Sequence, residues 1–118
     1  MLIDIIKNVD HIYVVCGPTD MRKSIEGCMG IVSEIYHLDP FSNSLFLFCN
    51  KKKTTLKVLH YDVNGFELLT KKLLDGKFQW PRSEDEARLI SKQELRWLLE
   101  GLSIEQKKAF RKVDRMII

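Results

Sequence analysis

Ile12, Tyr13, Val14 and Val15 form a short apolar run that ends at Gly17 and Pro18. From there Met21, Ile25, Cys28, Met29, Val32, Ile35 and Tyr36 recur at helical spacing, with Arg22, Lys23, Glu26, Ser33 and Glu34 on the opposite face. The pattern predicts a strand over 12–15 and an amphipathic helix ending near Tyr36. Gly27 and Gly30 weaken that helix by about 1 kcal/mol each relative to alanine, which is tolerable where the helix packs closely on a sheet. Asp39-Pro40 closes it, because the residue before proline is pushed away from helical geometry.

Residues 44–49 are an apolar run between turn residues, the pattern of a buried strand. Two more strands are predicted over 55–61 and 66–73, joined through Asp62-Val63-Asn64-Gly65. Asn64-Gly65 between them is a hairpin signal, since both residues accept positive φ at low cost. Residues 77–80 suggest a further short strand cut off by Pro81. Ser91-Lys92-Gln93-Glu94 is a capping box with Ile90 and Leu95 at the staple positions, so a second helix starts there. Leu95, Leu98, Leu99 and Leu102 form its apolar stripe, and Gly101 suits the left-handed position that ends it. Ser103-Ile104-Glu105-Gln106 repeats the capping logic and opens a shorter basic helix or tail carrying Lys107, Lys108, Arg111, Lys112 and Arg115.

The order strand, helix, strands, helices predicts an α+β fold with a mixed sheet of four to five strands, one crossover helix and C-terminal helices. A strand-helix-strand unit crosses over right-handedly and makes its two strands parallel. The 118 residues, 45% of them hydrophobic, suffice for one core and not for two, so a single domain over 1–118 is expected.

Nineteen Lys and Arg against sixteen Asp and Glu leave a formal charge of +3, which permits a nucleic-acid partner without demanding one. The longest apolar run, 45–49, is far short of a membrane span, and the charged N-terminal residues do not make a signal peptide. A cytoplasmic protein without membrane association is the expectation. Cys16, Cys28 and Cys49 lack metal or disulfide spacing and read as buried reduced thiols.

The junction Cys16-Gly17-Pro18-Thr19-Asp20-Met21-Arg22-Lys23 is the most informative stretch. Glycine and proline set a turn, Thr19 or Asp20 can cap the following helix, and Arg22 and Lys23 add positive charge beside its dipole end. An ordinary capped turn explains the same residues. Parallel first and second strands would bring this turn beside Asn50, Lys51, Lys52 and Lys53 at one end of the sheet, where open α/β sheets bind ligands. A solvated lysine turn is the simpler account of the triplet. Trp80-Pro81-Arg82 reads either as an exposed aromatic beside a cation, able to stack on bases or sugars, or as a core tryptophan closing the sheet. Trp97 lies near the leucine stripe and suits the core or a protein contact. Glu84-Asp85-Glu86 cannot converge on one cation from a single helix face. His11, His37 and His60 share no ligand spacing, and no nucleophile-base-acid order stands out, so neither a metal, a cofactor nor a catalytic residue is expected.

The octapeptide resembles the CGPTDMRK signature of the small accessory protein, TnpB, of insertion sequences of the IS 66 type. Further matches follow in order: Leu38-Asp39-Pro40-Phe41-Ser42, Leu45-Phe46-Leu47-Phe48-Cys49-Asn50, Asn64-Gly65-Phe66, Phe78-Gln79-Trp80-Pro81-Arg82-Ser83-Glu84-Asp85-Glu86, and Leu95-Arg96-Trp97-Leu98-Leu99-Glu100-Gly101-Leu102. The tail around Arg111-Lys112-Val113-Asp114-Arg115 departs from the family's pattern. The resemblance implies a bacterial, non-catalytic accessory factor of DNA transposition, with strand-transfer chemistry on a separate, co-encoded transposase. Expected partners are DNA at the element ends, that transposase, and a second copy of the chain. Thr19, Arg22, Lys23, Asn50, Lys51, Lys52, Lys53 and Arg82 are the expected nucleic-acid contacts, Trp80 and Trp97 the protein contacts. Two competing readings are a protein-interaction module without DNA contact, and a cryptic nuclease or nucleotide-binding enzyme using Asp20.

Overall fold

The structure is a computed structural model that describes residues 5–83 and 85–106. Five strands form one mixed sheet: β1 (His11–Val15), β2 (Ser44–Cys49), β3 (Thr55–Asp62), β4 (Gly65–Lys72) and β5 (Ala87–Ile90), in the order β4-β3-β2-β1-β5. β1 and β2 run parallel, from His11 opposite Ser44 to Val14 opposite Leu47, and every other pairing is antiparallel. The α+β expectation and the parallel first pair therefore both hold.

Helices cover both faces. On one, α1 (Ile25–Gly30) and its continuation bury Cys28 and Val32 against Val15, Phe46, Phe48 and Leu59. On the other, α2 (Lys92–Leu99) sets Leu95 and Leu98 against Val14, Leu45, Leu47, Leu56 and Val58, joined by Phe78, Trp80 and Ile104. All six residues of β2 are buried, as a strand covered on both faces requires, and this is why its sequence is a continuous apolar run.

α2 starts as predicted. Ser91 Oγ accepts from the Glu94 N–H at 3.0 Å while the Ser91 N–H donates to Glu94 Oε1 at 2.9 Å, and Gly101 follows the helix at φ 84°. The first helix begins later than its apolar spacing predicts. Ser24 is its cap, accepting from the Gly27 N–H, and residues 16–23 form an ordered loop instead. Its C-terminal part, Ile31–Ile35, widens to π-type bonding, with the Tyr36 N–H donating to the Ile31 carbonyl at 3.3 Å.

Three other expectations change. Residues 77–80 form no strand, because Phe78 and Trp80 turn into the core; the fifth strand is β5, which pairs antiparallel with β1 on the far edge. The β3–β4 hairpin does form through residues 62–65, with Asp62 opposite Gly65, but its two-residue loop is Val63-Asn64 and not Asn64-Gly65. At Ser103 the hydroxyl accepts from the Glu105 N–H, and the Gln106 side-chain amide donates to the Ser103 carbonyl, so the second capping box does not form. The basic helix or tail expected beyond it lies outside the described residues.

The hairpin loop carries a local conflict. Val63 has φ 47°, a region costly for a β-branched residue, and its side chain is 87% exposed, so no packing offsets the strain. Val63→Gly removes that cost. The expected result is a rise in melting midpoint of about 2–5 °C, measured by circular dichroism; a lower midpoint would contradict the strained turn.

Candidate nucleic-acid interface

The loop after β1 is tied down through several of its backbone donors. The Cys16 N–H donates to the Glu86 carbonyl and the Gly17 N–H to the Pro81 carbonyl, both at 2.9 Å. Gly17 adopts φ 75°, which a side chain would resist, and turns the chain toward β2. There the Thr19 N–H donates to the Cys49 carbonyl at 2.8 Å. The β1–β2 pairing is thus carried past the end of the sheet. Lys57, midway along β3, completes the anchorage: its Nζ donates to the Met21 carbonyl at 2.6 Å and the Lys23 carbonyl at 3.1 Å.

Asp20 does not cap α1. Its carboxylate accepts from the Arg22 N–H at 2.9 Å and from the Arg22 guanidinium at 2.7 Å and 3.1 Å, closing an Asx turn with a bidentate ion pair. These bonds hold the Asp20 carboxyl at about 2, below the ordinary aspartate range. The Arg22 side chain remains 91% exposed.

The lysine turn after β2 is organised by Asn50. Its Oδ1 accepts from the N–H groups of Thr54 (2.9 Å) and Thr55 (3.0 Å), and its Nδ2 donates to Thr54 Oγ1 at 3.2 Å. The Lys53 N–H donates to the Asn50 carbonyl at 3.0 Å, with Lys53 at φ 62°. Phe78 and Leu73 bind the turn from outside, through N–H bonds of 2.8 Å to the Lys53 and Thr54 carbonyls. Lys51 and Lys52 are exposed at its tip.

Pro18, Thr19, Asp20, Met21, Asn50, Lys51 and Lys52 line one shallow cleft of about 500 Å³, so the two loops meet as the parallel pairing requires. Lys53 and Arg82 face a different cleft, of about 300 Å³, together with Arg88. Several residues take roles other than the expected ones. Thr19 is only 8% exposed and serves as a clamp, and the Asn50 amide is occupied within its own turn. Trp80 is 5% exposed and its Nε1 donates to the Val15 carbonyl at 3.0 Å, so it belongs to the core and is not a surface contact. Trp97 is half-buried on α2 and lines neither cleft.

Lys57 and Arg88 were not among the expected site residues. A lysine between Leu56 and Val58 in an apolar strand is the signal for the first, since a half-buried ammonium needs acceptors. Arg88 was masked by the charges around it. Among the described residues no group of three or more His, Cys, Asp and Glu is placed to hold a metal ion. Burial pushes the Cys16, Cys28 and Cys49 thiols up, Cys49 to about 11, leaving them protonated and poorly nucleophilic at neutral pH. No helix among the described residues is long and apolar enough to cross a membrane.

The Asp20–Arg22 turn has a pH signature. A carboxyl depressed in the folded state contributes stability that is present above its unfolded pKa and is lost as pH falls through the folded value. The Asp20 carboxyl resonance is therefore expected to titrate near pH 2, and in Arg22→Ala to return toward the ordinary aspartate range near 4. Carbon-detected NMR reads both midpoints, and an unchanged midpoint in Arg22→Ala would contradict the ion pair.

Comparison with known proteins adds to this geometry. The chain is 36% identical over 92 residues to the uncharacterized protein y4hO of Sinorhizobium fredii, covering 78% of this chain and 80% of that protein. It is 33% identical over 92 residues to the uncharacterized protein y4jC of the same organism, covering 78% and 79%. No solved structure matches it. The sequence pattern of the family described as IS66 Orf2 like protein matches residues 10–109, nearly the whole chain and all five strands, and the chain belongs to that family.

Proposed function

We propose that this chain serves transposition of an IS66-type insertion sequence as a non-catalytic factor that holds DNA along the edge formed by residues 17–23 and 50–53. The observation that carries this reading is the meeting of those two loops in one cleft. Each loop alone is a solvated turn. Together they form a rigid rim that presents Lys51 and Lys52, with Lys23 and Arg22 exposed on the adjoining loop. Lysine is a point charge with no planar fork, which suits contact with phosphates and gives little base readout.

Arg22 fits the same role. Its ion pair with Asp20 is surface-exposed and screened by solvent and salt, so a phosphate can compete for the guanidinium. Asp20 orders the turn in this account and performs no chemistry. An exposed carboxylate held by an arginine, with no acidic neighbours among the described residues placed to share a metal, lacks what metal-assisted strand cleavage requires.

Affinity for duplex DNA should then fall linearly in log–log form with salt. Replacing Lys51, Lys52 and Lys53 by Ala is expected to make that slope shallower by about 2–3 and to weaken binding alike on all sequences, measured by fluorescence anisotropy. An unchanged slope, or no binding by the unsubstituted chain at low salt, would overturn the DNA reading in favour of a protein-interaction module.

Asp20→Asn separates holding from catalysis, because asparagine supports the same Asx turn. Transposition counts in cells supplied with this variant are expected to stay within a few-fold of the unsubstituted level. A folded Asp20→Asn protein with no transposition would contradict the non-catalytic role.

A further inference from the structure

The lysine turn divides two clefts. Asn50, Lys51 and Lys52 line the first; Lys53 lines the second with Arg82, Arg88, Ser83, Ser103 and Glu105. The second is a mainly polar concavity of about 300 Å³, large enough for a phosphodiester group, and three of its residues are cations drawn from three separate segments. Arg88 is the best positioned of them. It sits on β5, its guanidinium is held by Glu86 at 3.2 Å, and a second side reaches toward Ser83 Oγ at 3.5 Å.

The only acid lining this cleft among the described residues is Glu105, which stands 3.9 Å from Arg88 Nη1 with its side chain 76% exposed. Its carboxylate thus stands beside a cation that an anion entering the cleft would also meet. Ser103 fixes the backbone there by accepting the Glu105 N–H, so the acid is delivered by an ordered segment of chain that follows α2.

We infer that the second cleft is a further phosphate site on the same DNA track, gated by Glu105, whose carboxylate gives up Arg88 to the nucleic-acid backbone on binding. The inference rests on the DNA reading above and adds to it a site, a residue and a means of adjustment. The two clefts on either side of one lysine turn let a single backbone contact Lys51 and Lys52 on one side and Lys53, Arg82 and Arg88 on the other. The Glu105 pair is exposed and opens at small cost, so it tunes affinity without blocking the site. Removing its charge relieves both the competition for Arg88 and the repulsion of phosphate.

A double-mutant cycle on a short duplex tests this, using the full chain and anisotropy across a salt series. Glu105→Gln is expected to bind about three- to tenfold more tightly at fixed salt. Arg88→Gln is expected to bind more weakly with a slope shallower by about 1. In the double variant the gain from Glu105→Gln should largely disappear, because its partner is gone, and melting curves of all four proteins confirm that they fold. Equal gains from Glu105→Gln with and without Arg88, or no gain at all, would overturn the gate while leaving the DNA reading standing. Failure of the unsubstituted chain to bind duplex at low salt would overturn the DNA reading and the gate with it.

Discussion

Everything at the basic edge depends on the parallel pairing of β1 with β2. Parallel neighbours joined by a right-handed crossover end on the same side of the sheet, so the segments that leave them are held side by side. The register cannot slip. β2 is buried on both faces, and a shift of one residue would exchange Leu45, Leu47 and Cys49 with Phe46 and Phe48 between two differently shaped cores. The bond from Thr19 to the Cys49 carbonyl then carries this register into the loops.

The division of labour within the edge follows from which polar groups are satisfied internally. Thr19, Asn50 and Lys57 direct their hydrogen bonds at the chain's own backbone and shape the loops. Arg22 and Arg88 are each paired with carboxylates close in sequence, Asp20 and Glu86. Lys51 and Lys52 project from a turn whose geometry others supply. The net charge of +3 is summed over the whole chain, whereas Lys51, Lys52 and Lys53 stand together on one turn, so the local field there exceeds what the total suggests.

The sheet and its crossover were legible because their signals are cooperative: an uninterrupted apolar strand, an amphipathic segment and a complete capping box at Ser91 and Glu94 each act over several residues. What escaped prediction was decided by single tertiary contacts. The spacing of Met21 and Ile25 looks helical, yet Lys57 takes the Met21 and Lys23 carbonyls from across the sheet and keeps the loop open. The run from Phe78 to Trp80 has strand composition, yet both aromatics enter the core, and Trp80 finds its acceptor at Val15. β5, four residues with an arginine and no clean alternation, becomes a strand because β1 offers it a free edge. The candidate site was readable as two basic segments and their meeting place. The second cleft was not, because Arg88 and Glu105 come from elements whose placement no local pattern specifies.

The proposed function requires two loops, distant in sequence, to act as one DNA-holding edge. Titrating isotope-labelled protein with a short duplex and following backbone amide resonances tests it most directly. The amides of residues 17–23 and 50–53 should shift together and with one midpoint, while those of the β3–β4 hairpin loop at the opposite end of the sheet stay still. Shifts confined to one loop, or centred on that hairpin, would contradict the account.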